Sequence, residues 1–483
     1  MATNKPITIS NWNMGGLSDS KWSGTKDSLY RMVGLDPHSE PAVLKAEQKL
    51  TKETTGAEPD EFCKWTLQSS NGRTYAFSST SGKIWERPSG GTWALVLTTT
   101  AGAGGVNCLG VIEHRGYIVW ATQSRLHRIL ATDAEGATEW AANKALNWQT
   151  FGVTNASYHP MVEQNLNLYI GDGNQVAEWD GTTFTADALD IKTPLVIKSL
   201  GKWKTDILLG TIVDDSITET EIIRWNTWSV SFSSSDPIKE IGVNAFLPAD
   251  NFVYVSAGKV GNIYIYDGEQ LELYKKIPGS YSSSATCVIH PDATANFNGQ
   301  VLFGVSNNSG NPCLEGVYRL GRHSRNYPWI TDMPYPISER SGTALVTSGI
   351  EIGSITVVGQ QILVAWKHGA TSGVDLLDTS NKLSRAYFET RVMRVSRVDL
   401  STWKEFVMAY NSLPASTLLT LTHDINYAGS YSAFASSQVD DTARKLLRID
   451  GEGLEAATLQ LKCVFTCSSN TTPSLEQIDI YLA

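Results

Sequence analysis

The sequence predicts an all-β protein built around a seven-bladed β-propeller, and two observations support this fold class. First, residues 176–191 and 263–277 share one pattern: an alternating apolar run, an Asp-Gly turn and a second alternating run. Alternation with a period of two residues, interrupted by an Asp-Gly turn, is typical of β-hairpins. Second, related hairpins recur along much of the chain, and long patterns with helical periodicity are missing.

The predicted hairpin turns recur at a nearly constant interval. Turn residues at positions 90, 136, 181, 226 and 268 are separated by 46, 45, 45 and 42 residues, and looser copies follow around Gly321 and Thr379. A β-prone run such as NGRTYAFSS or NLNLYIGDG precedes each turn. Repeats of about 40–50 residues with three or four strands are the signature of propeller blades. Six or eight blades stay open because the fourth and last units are irregular, and an array of β-sandwiches is the alternative architecture.

A closed ring also explains physically why one hairpin recurs. A single four-stranded sheet leaves its apolar faces in water, whereas stacking it between two neighbours buries both faces. Closing the circle removes the last exposed face. The propeller is predicted to span residues 61–384.

The two ends of the chain do not follow the repeat. Residues 1–60 are rich in turns and predict an extended N-terminal arm, in which ITIS (7–10) could add an outer strand to a blade. Residues 25–33 could form one or two helical turns, and 42–50 fit a strand or a helix. From Arg385 the alternating strands are longer, which predicts a C-terminal antiparallel β-sandwich at 385–483.

Composition excludes several classes of protein. The net charge of −10 argues against a surface that grips nucleic acid or anionic membranes. The first residues lack the pattern of a signal peptide, and no apolar run approaches the ~18 residues of a membrane-spanning helix. Synthesis in a cytoplasm and no membrane insertion are therefore expected. Six scattered cysteines, without paired CxxC motifs, indicate structural thiols.

Motifs for catalysis, metals or cofactors are not found in the sequence. The eight histidines form no HExxH pattern, and neither a GxSxG elbow nor a P-loop occurs. The GDGNQ stretch at 171–175 is interpreted as a hairpin turn rather than a phosphate cradle. The acidic run at 214–221 is interpreted as a solvated loop, because it lacks the alternating oxygen ligands of calcium loops. We therefore expect no enzymatic activity, no cofactor and no metal.

Tryptophan is frequent, with fifteen residues, and its positions suggest two roles. Trp93 and Trp179 occupy equivalent positions in the repeats, which predicts packing between blades. Trp148, Trp228 and Trp329 lie near predicted loops, where an indole could stack on a sugar. The segment HSRNYPW combines stacking and hydrogen-bonding groups and is the first choice for a ligand-binding loop. Its predicted contact residues are His323, Arg325, Tyr327 and Trp329.

Both ends resemble parts of one family, the β-propeller virion proteins of tailed bacteriophages, many of them known from viral metagenomes. These proteins open with a Gly-Gly-Leu turn and a Gly-Leu-Asp-x-His-Ser-Glu-Pro segment. The matching residues here are Gly15, Gly16, Leu17, Gly34, Leu35, Asp36, His38, Ser39, Glu40 and Pro41. At the other end, FETRV and TPSLEQIDIYL are similar to the sandwich module that closes many phage tail propeller proteins. The resemblance implies a tail-associated or portal-proximal role and transfers no catalytic residues.

The expected function is that of a non-enzymatic structural protein of a phage tail, in a nozzle, tip or adaptor-proximal position. It would be assembled in the host cytoplasm as a symmetric homo-oligomer, with other tail or portal-complex proteins as partners. If the ring lines the DNA path, its negative charge would let DNA pass without adhering. One alternative is a receptor for a host-surface glycan. Another is a glycan-cleaving enzyme with charged groups over the central channel, drawn from Asp214, Asp215, Glu219 and Arg224.

Overall fold

The computed structural model shows a chain made almost entirely of antiparallel strands. The structure describes residues 6–54, 56–99, 105–153, 155–249, 252–278, 286–307, 313–338, 349–394, 400–439 and 446–482.

The elements are numbered here in chain order. The N-terminal ones are β1 (Ile7–Ile9), α1 (Trp12–Gly15), β2 (Leu29–Val33), β3 (Leu35–Asp36), β4 (Leu44–Ala46) and β5 (Gln48–Lys52). Next come β6 (Cys63–Gln68), β7 (Thr74–Ser78), β8 (Lys83–Arg87), β9 (Ala94–Thr98), β10 (Gly110–His114), β11 (Tyr117–Ala121), β12 (Arg125–Leu130), α2 (Gly136–Asn143) and β13 (Ala145–Thr150). They are followed by β14 (Met161–Gln164), β15 (Asn167–Asp172), β16 (Gln175–Trp179), β17 (Phe184–Asp190), β18 (Val196–Trp203), β19 (Asp206–Ile212), β20 (Thr220–Trp225) and β21 (Ser234–Ile238).

The second half of the chain continues in the same way. Its first strands are β22 (Val243–Ala249), β23 (Phe252–Ala257), β24 (Asn262–Tyr266), β25 (Leu271–Lys276), β26 (Cys287–Phe297), β27 (Gln300–Asn307), β28 (Gly316–Gly321) and β29 (Ile330–Tyr335). The remaining strands are β30 (Ile350–Val358), β31 (Gln361–His368), β32 (Thr371–Lys382), β33 (Arg385–Thr390), β34 (Met393–Arg394), β35 (Ser401–Tyr410), β36 (Leu418–Ile425), β37 (Ser432–Val439), β38 (Leu446–Ala456), β39 (Thr458–Thr466) and β40 (Ser474–Leu482).

The chain forms two compact units. Unit 1 comprises Met1–Thr51, Gly316–Thr347 and Leu377–Ala483, and unit 2 comprises Lys52–Glu315 and Ser348–Leu376. This division differs from the predicted segments 1–60, 61–384 and 385–483, because the two chain ends share one unit. Backbone pairing explains the difference: β1 and β4 both pair with β40, near the C-terminus.

Unit 2 is a β-propeller. Its sheets β6–β9, β10–β13, β14–β17, β18–β21 and β22–β25 each have four antiparallel strands in chain order. A further sheet has the order β30, β31, β32, β5. The first strands β6, β10, β14, β18 and β22 contact each other in this order, β26 contacts both β22 and β30, and β30 contacts β6, so the circle is closed.

The number of separate blades differs from the predicted seven. Among the described residues, six sheets have four strands each. The repeat around Gly321 contributes only the hairpin β26–β27 to unit 2, where β26 contacts β22 and β30. Its other two strands belong to unit 1, in which β29 pairs with β2. The repeat is thus not a separate sheet, because its outer half is hydrogen-bonded into a larger one.

The last predicted repeat is also built differently. Thr379 lies inside the long strand β32 and not in a hairpin turn. The fourth strand of this sheet is β5, at the other end of the chain. The repeated turn pattern does not predict this strand, because β5 lies about 300 residues before the rest of its sheet in the sequence.

Three local predictions in the first 150 residues were wrong. The ITIS segment forms β1, which pairs with β40 of unit 1 and not with a blade (Ile7 opposite Ile480). Residues 29–33 form strand β2 and no helical turn, because they pair with β33 on one side and β29 on the other. Around Gly136, helix α2 replaces the predicted hairpin turn.

Tryptophans fill the spaces between neighbouring sheets of unit 2. Trp179 is 1% exposed and packs among Val119 of the preceding sheet and Leu168 of its own. Trp93, also 1% exposed, shares a cluster with Leu363 of the adjacent sheet. The predicted packing role of Trp93 and Trp179 is confirmed.

Glycines allow a very close approach of backbones near the centre of unit 2. A Cβ atom at Gly353 would lie 2.1 Å from the carbonyl oxygen of Cys63, where β30 meets β6. A Cβ atom at Gly110 would lie 1.9 Å from the carbonyl oxygen of His159. Since backbone atoms cannot rotate away as a side chain can, neighbouring sheets would have to move apart to accept alanine here.

Gly353→Ala is therefore expected to destabilise the propeller by about 1–3 kcal/mol, the usual range for overpacking a core. Urea unfolding followed by far-UV circular dichroism measures the change. The matched control is Gly152→Ala, because the atom nearest to its added Cβ is the mobile end of the Gln175 side chain. The control should change stability by less than about 0.5 kcal/mol. Equal effects of the two substitutions would contradict the proposed backbone clash.

Unit 1 contains two sheets. One has the order β3, β4, β40, β35, β38, with β1 beside β40; the other has the order β28, β29, β2, β33, β39, β36, β37, with β34 beside β39. The ring of Phe406 on β35 packs against that of Phe434 on β37, with centroids 4.7 Å apart. Trp12 of helix α1 packs on Phe388 of β33 at 5.3 Å. Aromatic side chains thus join the N-terminal segment and both sheets into one core.

Candidate functional site

The predicted ligand-binding loop connects β28 to β29 in unit 1 and spans residues 322–329. Arg325 is exposed, and His323, Tyr327 and Trp329 are half-buried. The structure brings His323 and Tyr327 together, with ring centroids 5.0 Å apart in an edge-to-face arrangement. The guanidinium of Arg322 lies 4.9 Å above the Trp329 ring. A role of these residues in ligand contact stays a prediction.

The loop rests on the DPHSEP segment of the N-terminal region. Nδ1 of His323 donates a hydrogen bond to the carbonyl oxygen of His38. Nε2 of His38 lies 3.2 Å from Oδ1 of Asp332, which follows the loop on β29. The side chain of Asp36 accepts the backbone N–H of His38 at 2.9 Å. The loop is therefore attached to a buried polar cluster beneath it.

Arg319 is the centre of this cluster. Its guanidinium donates two hydrogen bonds to Asp332, at 2.6 and 3.1 Å, and one to Glu47 at 3.2 Å. A longer contact of 3.4 Å reaches Asp36. Arg319 is 4% exposed and Asp332 is fully buried. One cation thus contacts three carboxyl groups from the N-terminal segment and β29.

The cluster changes the pKa of its members in opposite directions. Burial, together with the neighbouring Asp36, raises the pKa of Glu47 above its ordinary value. Burial opposes ionisation of Asp36 as well, but the charge of Arg319 and hydrogen bonds lower its pKa overall. Burial likewise disfavours charged Arg319, yet Asp332 and Glu47 raise its pKa well above the ordinary value. Arg319 therefore stays charged and holds this part of unit 1 together.

Asp214, Asp215 and Arg224, three of the four charged residues expected for a glycan-cleaving enzyme, each make a local contact of their own. Asp214 accepts backbone N–H groups within its own loop, from Ser216 at 2.7 Å and from residue 217 at 2.9 Å. Asp215 lies 3.7 Å from Lys259, and Arg224 lies 2.5 Å from Asp206. These residues serve separate local contacts.

One further sequence motif has a structural role. Residues 173 and 174 of the GDGNQ stretch form the turn between β15 and β16, as predicted. Over the described residues, no group of three histidine, cysteine, aspartate or glutamate side chains is placed to hold a metal ion.

The tryptophans predicted near loops differ in exposure. Trp148 is half-buried between Trp179, at 4.7 Å, and the guanidinium of Arg128, at 3.9 Å. Trp228 is 83% exposed, and Val230 beside it is 92% exposed. Trp228 is therefore the most accessible of the three candidate stacking residues.

A site that the sequence did not indicate lies inside unit 2. A cavity of about 340 Å³ is formed where inner strands and loops of successive repeats converge. Its lining residues are Lys64, Trp65, Ser79, Asn107, Cys108, Leu109, Ser157, Tyr158, Pro160, Lys198, Asn244, Val288, Ile289, His290 and Pro291. Asn107 and Ser157 are exposed, so the cavity opens to solvent at their loops. No single motif signals this site, because its residues come from segments as far apart as 64 and 291.

The polar wall of the cavity is basic. The ammonium of Lys198 donates to Oδ1 of Asn244 at 2.7 Å, and the amide of Asn244 donates to the carbonyl oxygen of Gly258 at 2.7 Å. The orientation of Asn244 is thus fixed by Gly258. Burial lowers the pKa of Lys198 to about 8. Burial, with Lys64 and Lys198, lowers the pKa of His290 to about 3.

Within the described part of the chain, no helix combines the length and apolar character needed to span a bilayer.

Comparisons with known proteins give no family and only distant structural matches. No protein-family model and no curated protein matches the chain. The extracellular domain of a hybrid two-component system from B. thetaiotaomicron is 14% identical over 76% of this chain, with a TM-score of 0.47; the match spans 43% of that chain. A streptogramin B lyase is 10% identical (TM-score 0.44; 69% of this chain, 98% of the other). The β-propeller domain of Cps50 (Swd1) from Myceliophteria thermophila is 12% identical (TM-score 0.43; 67% and 98%).

Proposed function

We propose that this chain is a non-enzymatic structural component of a tailed-phage virion, in the nozzle, tip or adaptor-proximal part of the tail. The main support is the position of the segment that resembles phage tail proteins. Within it, Asp36 and His38 belong to the buried cluster around Arg319. Leu17 is 3% exposed and Leu35 is fully buried. Several of the shared residues therefore build the fold, as a family of structural proteins would retain, whereas Ser39, Glu40 and Pro41 are exposed.

The glycines of this segment have steric reasons for their identity. A Cβ atom at Gly15 would lie 2.1 Å from the carbonyl carbon of Asp27. Gly34 has a φ of +69°, and a Cβ atom there would lie 2.4 Å from the side chain of Leu383. Larger residues at either position would clash with neighbouring chain segments.

The finer architecture belongs to the same proposal. The hairpin β26–β27 contacts the first strands on both sides, as an inner half-blade would. We infer that it fills a seventh position in the ring. We also infer that the two sheets of unit 1 pack as a sandwich, since Phe406 and Phe434 from different sheets are in contact.

Assembly would use exposed apolar surface, and unit 2 offers one such loop. Trp228 and Val230 are among the most exposed apolar residues described. The loop is held in place: Oδ1 of Asn226 accepts the backbone N–H groups of Trp228 and Ser229 at 3.1 Å, and the Trp225 indole donates to the carbonyl of Ser229 at 2.7 Å. A rigid apolar loop loses little entropy when a second copy covers it. DNA would pass the assembled ring only transiently, and other tail or portal proteins would complete the complex.

The double variant Trp228→Ser, Val230→Ser is expected to weaken self-association at least about tenfold, because a buried tryptophan is a frequent hot spot. Native mass spectrometry and analytical ultracentrifugation of wild type should show one closed oligomer, and the variant should shift toward monomer. The control is Leu273→Ser on β25, which also removes an exposed apolar side chain (59% exposed). A wild-type protein that stays monomeric at high concentration would contradict the assembly role.

Glycan recognition is the second candidate function, and exposed Trp228 is the observation that favours it. A monomeric wild type that binds a glycan array, with binding lost in Trp228→Ala, would support this alternative over assembly. Two measurements therefore distinguish the two functions: the oligomeric state of the wild type, and the loss of glycan binding when Trp228 is replaced.

A further inference from the structure

The cavity of unit 2 is a concentration of positive charge in an acidic protein. The chain carries a net charge of −10, yet no carboxylate is among the residues that line the cavity. Lys64 and Lys198 both line it, and each lowers the pKa of His290 in the same wall. The carboxylates that act on these lysines, Glu351 on Lys64 and Asp215 on Lys198, are not among the lining residues. Grouping basic side chains around a cavity without a carboxylate in its wall costs free energy, so the arrangement points to an anion as the ligand.

The ammonium of Lys198 is positioned for such a ligand. Among the described residues its hydrogen-bond acceptor is the neutral amide of Asn244, at 2.7 Å, and the ring of Tyr158 lies 5.8 Å away. An ammonium has three N–H donors. Lys198 therefore has N–H donors left for a ligand in the cavity, and its hydrogen bond to Asn244 holds the ammonium group in position.

Asp292 carries the carboxyl group that is closest in sequence to the basic wall, and this group does not repel an anion while it is protonated. Asp292 follows Pro291, and its side chain accepts the backbone N–H of Thr66 at 3.0 Å. Burial raises the pKa of Asp292 well above its ordinary range. Its carboxyl group therefore keeps a proton to higher pH than an exposed aspartate does.

The remaining lining defines the size and character of the ligand. A cavity of about 340 Å³ lies at the lower end of the range for small-molecule sites, roughly 300–1,000 Å³. Trp65, Leu109, Val288 and Ile289 supply an apolar wall, and Ser79 and Ser157 supply hydroxyl groups. This combination suits a compact molecule with one charged end and one less polar end.

We propose that the cavity binds a small organic anion, with Lys64 and Lys198 holding its phosphate or carboxylate group. Phosphate and carboxylate share the chemistry that two ammonium groups recognise, namely a compact oxyanion with several acceptor oxygens. This inference rests on unit 2 alone and does not depend on the proposed role in a phage tail.

Isothermal titration calorimetry of the full chain tests the proposal with four probes: inorganic phosphate, glucose 6-phosphate, citrate and neutral glucose. We expect saturable binding of at least one anionic probe with 1:1 stoichiometry, and none of glucose. A preference for glucose 6-phosphate over citrate would identify phosphate as the group bound, and the reverse would identify carboxylate. The absence of saturable binding by every anionic probe would overturn the proposal.

Two separate variants, Lys64→Met and Lys198→Met, should each lower the affinity at least about tenfold, because each removes a charge-assisted hydrogen bond. The matched control is Lys202→Met, on the same strand β18 as Lys198 but exposed, which should bind as wild type does. Far-UV circular dichroism checks the fold of each variant. Wild-type affinity in both folded cavity variants would contradict the proposal, and the wild-type titration decides it even if a variant misfolds.

Affinity should also fall as the pH rises from 7 to 9, because Lys198, with a pKa lowered to about 8, loses its charge in that interval. Lys64 acts in the same direction, because burial and the nearby Lys367 lower its pKa more than Glu351 raises it. His290 is uncharged throughout this interval, and the pKa of Tyr158 is raised. Asp215 and Lys259 are the other charged groups that act on Lys198. An affinity that rises over this interval would argue against binding through the ammonium groups.

Discussion

Arg319→Met is expected to lower the free energy of unfolding by about 3–5 kcal/mol, the usual cost of removing one partner from a buried ion pair. Arg319 donates to Asp332 at 2.6 Å and to Glu47 at 3.2 Å, and both carboxylates are buried. Methionine fills much of the same space but leaves these carboxylates without a cation. Urea unfolding monitored by far-UV circular dichroism measures the loss.

Two further variants separate loss of charge balance from loss of packing. Arg448→Met removes an exposed ion pair in the same unit, with Glu405 at 3.0 Å, and should cost at most about 1 kcal/mol. Adding Asp332→Asn to Arg319→Met should recover part of the stability, because the fully buried carboxylate then carries no charge. A loss below about 1 kcal/mol for Arg319→Met would show that the cluster does not stabilise unit 1.

Trp179→Ala should destabilise unit 2 by about 3–5 kcal/mol, as truncation of a buried tryptophan usually does. The Trp179 ring is 1% exposed and lies at 5.2 Å from the ring of His114 and at 4.7 Å from that of Trp148. These partners come from the preceding sheet, so the truncation opens a gap between two blades. Differential scanning calorimetry should show a lower transition temperature for this unit.

Trp228→Ala is the matched control, since it removes the same side chain from the surface of the same unit. With 83% of its area exposed, Trp228 should contribute less than about 0.5 kcal/mol to folding. Similar losses of unfolding free energy in both variants would mean that side chains packed between the sheets do not stabilise the ring.

Much of the propeller could be predicted from the sequence because its signals are local. In the hairpins at 175–190 and 262–276, apolar and polar residues alternate with a period of two on both sides of an Asp-Gly turn, so each hairpin can be recognised from consecutive residues. The repeat interval then implies stacking, because each sheet must bury two faces. The positions of Trp93 and Trp179 follow from the same reasoning, and both are buried between sheets.

The candidate loop was only partly predictable. A mixture of aromatic and charged residues identified 323–329, and the structure pairs His323 with Tyr327. Its attachment to the N-terminal segment through His38 was not predicted, since 285 residues separate the two histidines. The basic cavity was missed for a similar reason: Lys64, Lys198 and His290 each look like an isolated residue on a strand.

The sequence by itself determined the strand content, the repeat and the residues that pack between sheets, because period-two alternation and turn residues act over short distances. Tertiary structure alone decided the rest. It made β2 a strand by placing it between β29 and β33, and it completed a blade with β5 from the opposite end of the chain. Strand pairing and charge clustering depend on which segments meet, and the hydrogen bonds that decide this join residues hundreds of positions apart.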